Sequence, residues 1–316
     1  MFIQSYGLIL SLASAACIIL CFTIHREQLD KAIEASALFL ILGFIFSRLF
    51  YVAANIPYYF QEISKPIAVF KVTDGGLSLF GCLFGMFIAM CVINKKALCT
   101  DNIHFCDTVG VIMWLFISII RFAERYTDMG LGKDVEISGL FTIADEYGFN
   151  VLTIYKMESL FGIVGFIIFS ILFYNHYKHG KKYSHPYIFL MFLIVFSSSQ
   201  IVFESLRNDG HMLIGFIHVQ EILYAILLVA SLYMIYLKLR DCASKRETIV
   251  LTFIIIILVL IDFAMEFVVD GRLNLPLKII GLSALARNYL IISTVSIFFM
   301  MIGINLIVRL KKASNE

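Results

Sequence analysis

Gln200, Glu204 and Arg207 in the run QIVFESLR stand at i, i+4 and i+7, on one face if that stretch is helical. Arg121 and Glu124 lie three residues apart at the end of another apolar run, and Arg48 closes a third with Tyr51 one turn on. A guanidinium offers paired donors in a planar fork, which suits the oxygens of a phosphate. In VTDGGLSLFGCLFG, Asp74, Gly75, Gly76 and Ser78 stand at the mouth of an apolar run, where a glycine turn can present free backbone N–H groups to an anion. His218, Gln220 and Glu221 open yet another run. A bland alternative has equal standing at this point: an interhelical salt-bridge cluster with arginines reaching toward the membrane surface. Gly81 and Gly85, spaced as G-x-x-x-G, point to close helix packing and nothing more.

These residues need elements to hold them, and the composition says of which kind. Of 316 residues, 60% are hydrophobic and only 15% charged, with a mean hydropathy of +0.90. A soluble domain cannot hide that much apolar surface, so the chain reads as an all-α polytopic membrane protein. Nine runs are long enough to cross a hydrocarbon layer of about 30 Å, near 5–23, 33–54, 76–93, 105–123, 158–175, 186–205, 213–237, 249–268 and 288–308. Backbone groups in lipid have to be satisfied within the segment, so each run is a helix. The first resembles a signal peptide, but its first positive charge, Arg26, follows the apolar run, so a retained span is expected. A net charge of +2 points to no acidic partner, and nucleic acid is not expected. The seven cysteines lie mostly in or beside apolar runs, without metal-ligand spacing, and read as small buried hydrophobes.

Lys95, Lys96, Lys178, Lys181, Lys182 and Lys238 belong to connections on one side, which is taken as the inside because basic residues accumulate there. The N-terminus is then outside and the C-terminus inside. With those directions, all of the polar residues above fall in the outer half of the membrane, where an arginine-lined cavity fits an anionic phospholipid headgroup. Charges in a span cost at least about 2.5–3.5 kcal/mol near its centre, so their segregation to one side carries information. The outer segments 56–76 and 124–157 are long, and are expected to lie on the membrane surface as lids or plain connections. Asp262 and Glu266 form an i, i+4 acidic pair toward the outer end of the eighth run, with Arg272 or Arg287 as possible partners.

Taken in order, SRLFYV at 47–52 and FKVTDGGLSLFGCLFG at 70–85 resemble the bacterial prolipoprotein diacylglyceryl transferase family. Asp107, Arg121 and Gly132 follow at the family's spacing, VFESLR resembles its Val-Glu-Phe-Phe-Arg, and Gln220 resembles the glutamine that opens its last helix. The resemblance spans about residues 1–240, a seven-span domain, while 241–316 add two spans without a counterpart. It implies transfer of the diacylglyceryl group of phosphatidylglycerol to the lipobox cysteine of a prolipoprotein signal peptide, giving a thioether and glycerol 1-phosphate. It implies no metal or cofactor, and a multi-pass protein of the bacterial cytoplasmic membrane. Mapped residue by residue, Arg48, Tyr51, Asp74, Gly75, Gly76, Ser78, Arg121, Arg207 and Gln220 would hold phospholipid, and Arg121 and Glu204 would act in catalysis. The family histidine is Phe80 here, its asparagine after the arginine is Glu124, and an arginine four before the sixth-run glutamate is Gln200. Glu124, His218 or His211 is therefore the expected base. Two other readings stay open: a relative that binds phospholipid or lipoprotein precursors without transfer, and a small-solute transporter. The second is weaker, because there is no internal repeat and the polar residues are displaced from the midplane.

Overall fold

The computed structural model describes residues 2–26, 29–56, 59, 69–70, 76–96, 102–127, 129–136, 138–144, 148–178, 185–208, 213–214, 217–239, 245–273 and 283–313. Among them nine helices follow one another: α1 Phe2–Ile24, α2 Leu29–Ala54, α3 Leu79–Lys96, α4 Asn102–Ala123, α5 Ile154–Tyr177, α6 Tyr187–Leu206, α7 Val219–Leu239, α8 Lys245–Val269 and α9 Ala284–Ala313. Eight are long and apolar enough to cross a membrane; the apolar part of α3, Leu79–Ile93, is shorter. The protein is therefore an all-α polytopic membrane protein in its spans. Side chains such as Phe253 and Leu260 of α8 lie open on the surface, as a lipid-facing helix requires.

The connection between α4 and α5 holds a small sheet. After a 3₁₀ turn, Glu124–Tyr126, the chain forms β1 (Leu131–Val135), β2 (Thr142–Ala144) and β3 (Asn150–Thr153). β3 is the central strand, antiparallel to both neighbours, with Leu131 opposite Thr153 and Thr142 opposite Leu152. The seventh run also starts later than its hydropathy suggests. Leu213–Ile214 and Ile217–His218 pair as β4 and β5, and α7 begins only at Val219.

The chain divides into two compact units, one of residues 1–188 and 208–212, the other of residues 189–207 and 213–316. In the first, α2 packs on α3, α4 on α5, and α1 on α4. Glycines allow the closest approaches. A Cβ on Gly81 would strike the Phe46 carbonyl oxygen, and one on Gly85 the carbonyl oxygen of Leu42. On α5, a Cβ at Gly162 would sit 2.8 Å from Ser118 Cβ, and one at Gly165 would sit 2.6 Å from Trp114 Cδ2. Small residues that let backbones approach are what holds helices together in lipid, where apolar burial alone offers little. The Ser118 hydroxyl adds a bond to the Ser159 carbonyl at 2.9 Å. Trp114 is buried between Phe161 and Phe169.

At the opposite end of α4, Asp107 is fully buried and ties three elements together. Its Oδ2 accepts from the Tyr177 hydroxyl at 2.7 Å, and its Oδ1 from the Ile188 backbone N–H at 2.9 Å. That N–H is one of the unpaired donors at the start of α6, so Asp107 caps the helix from a distance.

In the second unit, α9 packs on α7 and α8. Gly303 of α9 fits against Ile194 of α6, where a Cβ would come within 2.6 Å of Ile194 Cδ1. Phe192 stacks on Phe196, which meets Tyr224 of α7 edge-on at 5.6 Å.

Candidate functional site: buried arginines and carboxylates at the helix ends

Arg121 sits in the last turn of α4, and the 3₁₀ turn that follows carries Glu124 back beneath it. Arg121 Nη1 donates to Glu124 Oε1 at 2.6 Å. The glycine-mediated packing of α5 on α4 brings a second carboxylate, Glu158, whose Oε1 lies 3.3 Å from Arg121 Nη2. The three residues are 4%, 8% and 1% exposed, so a single guanidinium is shared by two carboxylates almost out of reach of solvent. Gly130 completes the pocket. Its φ is +80°, and a Cβ there would meet Glu124 Oε2 and Tyr155 Cβ, each at 2.8 Å. The Gly130 carbonyl in turn accepts from the Tyr155 N–H at 3.0 Å, which fixes the sheet's entry to α5.

A second group gathers where α2 ends and α3 begins. Arg48 Nε donates to the Val69 carbonyl and its Nη1 to the Gly76 carbonyl, both at 2.8 Å. Tyr51 and Tyr59 place their rings 5.8 and 5.5 Å from its guanidinium carbon. Gly76 has φ +84°, and any Cβ there would run into the Tyr51 ring. Ser78 caps α3: its Oγ accepts from the Gly81 N–H at 3.3 Å, and its carbonyl accepts from Ser47 Oγ at 2.8 Å. Arg48 and Ser78 thus hold this doorway in shape through backbone groups. Asp74 and Gly75, like His211, lie outside the described residues. Phe80 is buried and packs 5.2 Å from the Phe50 ring, so the position of the family histidine belongs to an aromatic cluster.

A third group belongs to the second unit. Glu204 and Arg207 close α6, fully or almost fully buried, with Arg207 Nε 3.9 Å from Glu204 Oε1. Gln200 is buried one turn earlier. His218, in β5, and Glu221, in the first turn of α7, are also buried, and Gln220 between them is half-buried. Glu266 of α8 is buried within the same unit. Arg272 pairs with Asp270 at 2.6 Å, and Arg287 donates to its neighbour Asn288.

Sequence reasoning overlooked Glu158. It reads as a flanking charge at the start of the fifth run, next to Lys156, and only the seating of α5 on α4 turns it inward. Tyr289, which donates to the Ser205 carbonyl at 2.8 Å, was equally silent.

Apolar crossing helices that carry buried arginines and carboxylates at their ends define an integral membrane protein. The family model for prolipoprotein diacylglyceryl transferase matches residues 1–237, and the chain belongs to that family. A phosphatidylglycerol–prolipoprotein diacylglyceryl transferase of Staphylococcus haemolyticus is 29% identical over 228 residues, covering 69% of this chain and 76% of that protein. The Staphylococcus saprophyticus protein of the same name is 27% identical over 226 residues, 68% of this chain and 75% of the relative. One from Staphylococcus aureus is 28% identical over 222 residues, 67% and 74% of the two chains. The match ends close to the end of α7, so α8 and α9 lie beyond it.

Proposed function

We propose that this protein moves the diacylglyceryl group of phosphatidylglycerol onto the lipobox cysteine of a prolipoprotein at the outer side of the bacterial membrane. The observation that carries the reading is the buried Arg121 group, together with membership of the family. In the reaction the cysteine sulfur attacks the glyceryl carbon that bears the phosphate oxygen. A C–S bond forms, the C–O bond breaks, and its electron pair leaves on glycerol 1-phosphate. The thiol proton goes to a base, for which Glu124 is the best placed of the described candidates in the first unit, held by Arg121. Negative charge grows on the departing phosphate, and a fixed guanidinium stabilises such charge without having to reorganise. Within the second unit, Arg207, buried at the end of α6, is a phospholipid-binding candidate in its own right. Glu158 balances Arg121 from the other side and keeps its fork oriented.

Phe80 favours one second reading, a lipid-binding relative without transfer, because a phenyl ring replaces an imidazole in that position. Incubating the full-length protein in detergent with phosphatidylglycerol and a lipobox peptide, then weighing the peptide, separates the two. A diacylglyceryl adduct that disappears in Arg121→Ala supports transfer. No adduct from a preparation that still binds phosphatidylglycerol overturns it and leaves the binding reading.

A further inference from the structure

The sheet between α4 and α5 has two unlike faces. Residues directly opposite in an antiparallel pair point the same way, and neighbours along one strand point opposite ways. Val151 of β3 stands opposite Ile143 of β2, and Thr153 opposite Leu131 of β1. Val151 and Thr153 are buried, yet Ile143 is 49% exposed, and Phe149, two residues before Val151, is 62% exposed. The buried apolar face therefore runs on past what the protein covers. Leu140 is 78% exposed, at the tip of a turn that the Thr142 N–H closes on the Gly139 carbonyl at 3.2 Å. Large apolar side chains gathered in the open mark a surface that meets something apolar.

What covers them follows from where the sheet is held. The span of α4 runs to Tyr126, and that of α5 starts at Ile154, the residue after β3. Lys156, in the first turn of α5, donates from Nζ to the Leu140 carbonyl at 3.2 Å, which ties the turn to the level of that helix start. Phe122 in the last turn of α4, and Leu160 and Ile163 of α5, are exposed as lipid-facing side chains are. The apolar patch of the sheet thus adjoins the lipid-facing surface of the spans that carry it.

Cations stand at the same helix ends. The Arg125 guanidinium lies over the Phe122 and Tyr126 rings at 5.6 and 5.4 Å, and Lys156 Nζ lies 5.9 Å from the Tyr155 ring. Long basic side chains at the end of a span keep their stems on apolar surface and their charge at the lipid phosphates. β1 carries the exposed Asp134 on the far side of Val151, so the β2 edge is the one that enters lipid.

We infer that this sheet docks on the membrane. Leu140, Ile143 and Phe149 enter the boundary between headgroups and acyl chains of an anionic phospholipid layer, and Arg125 and Lys156 meet its phosphates. An apolar face seated in this way lies about 5–10 Å into that boundary. The inference goes beyond the transfer reaction and does not depend on it.

The test adds a second tryptophan to the full-length protein, at one position at a time, and reconstitutes each variant in vesicles of phosphatidylglycerol and phosphatidylcholine. The phosphatidylcholine is used plain or with bromine on its acyl chains, where it quenches an indole only on contact. Emission in excess of wild type, which has Trp114 alone, reports the added ring. In Phe149→Trp, Ile143→Trp and Leu140→Trp that excess is expected to be blue-shifted and mostly lost in brominated lipid. Ala144→Trp is the control: Ala144 is exposed but stands opposite Asn150, on the other face, so its emission stays red and largely unquenched. Three sites keep the test decisive if one variant fails to fold. Unquenched emission from the folded variants of the patch, or equal quenching at Ala144→Trp, would overturn the inference. Blue-shifted emission that brominated lipid leaves intact assigns the face to a protein partner and overturns it too. Leaving out phosphatidylglycerol is expected to weaken the quench, and an equal quench in pure phosphatidylcholine removes the part given to Arg125 and Lys156. None of these readings needs transfer to occur, so a failure of the transferase reading leaves them standing.

Discussion

Arg121 is worth more as a partner than as a charge. Removing it leaves Glu124 and Glu158 buried without the guanidinium they share, and breaking a buried pair in this way costs about 3–5 kcal/mol. Arg121→Ala is therefore expected to lower the thermal midpoint of the detergent-solubilised protein as well as to abolish transfer. Neutralising the acids at the same time, in Arg121→Met with Glu124→Gln and Glu158→Gln, restores much of the midpoint while transfer stays absent. If the triple variant is no more stable than Arg121→Ala, the lost ion pairs are not what destabilises it. Arg121 and Glu124 were legible in the sequence because they lie three apart at a helix end. Glu158 was not, because its partner is more than thirty residues away and only the packing of two helices introduces them. Arg48 was legible by type as a phosphate-recognising residue, but its hydrogen bonds to the carbonyls of Val69 and Gly76 depend on the fold and were not.

Helices were the readable elements, since a run of apolar residues as long as a bilayer is thick has one solution. The small sheet was not readable, because strands of three to five residues with charges among them carry no clear alternation. Gly76 lies at a junction that depends on a single backbone angle. Alanine there has to adopt φ near +84° and displace Tyr51, so Gly76→Ala is expected to lower the thermal midpoint. A midpoint equal to wild type would mean that this junction relaxes freely. Asp107, by contrast, acts across elements. Asp107→Ala strips the α6 N-terminus of its distant cap and the Tyr177 hydroxyl of its acceptor. Each orphaned donor costs about 1–3 kcal/mol when buried. Tyr177→Phe, which removes donor and demand together, is expected to cost less, and equal thermal shifts would contradict the capping role.

At the scale of the whole molecule, the basic connections predict an outward N-terminus and an inward C-terminus. A fluorescent protein fused after residue 316 is expected to glow. A secreted phosphatase fused after Asp270 is expected to be active, because with that topology the position follows an outward end of α8. The opposite pattern would reverse the topology and place the Arg121 group on the wrong side for a secreted preprotein. Trp114 has a different kind of consequence. It is the one tryptophan in the chain, wedged against Gly165 two helical turns from Arg121 on the same face of α4. Indole emission shifts with the polarity around the ring. The protein consequently carries its own optical gauge: any lipid or peptide that eases α5 away from α4 registers as a change of colour, with no dye attached.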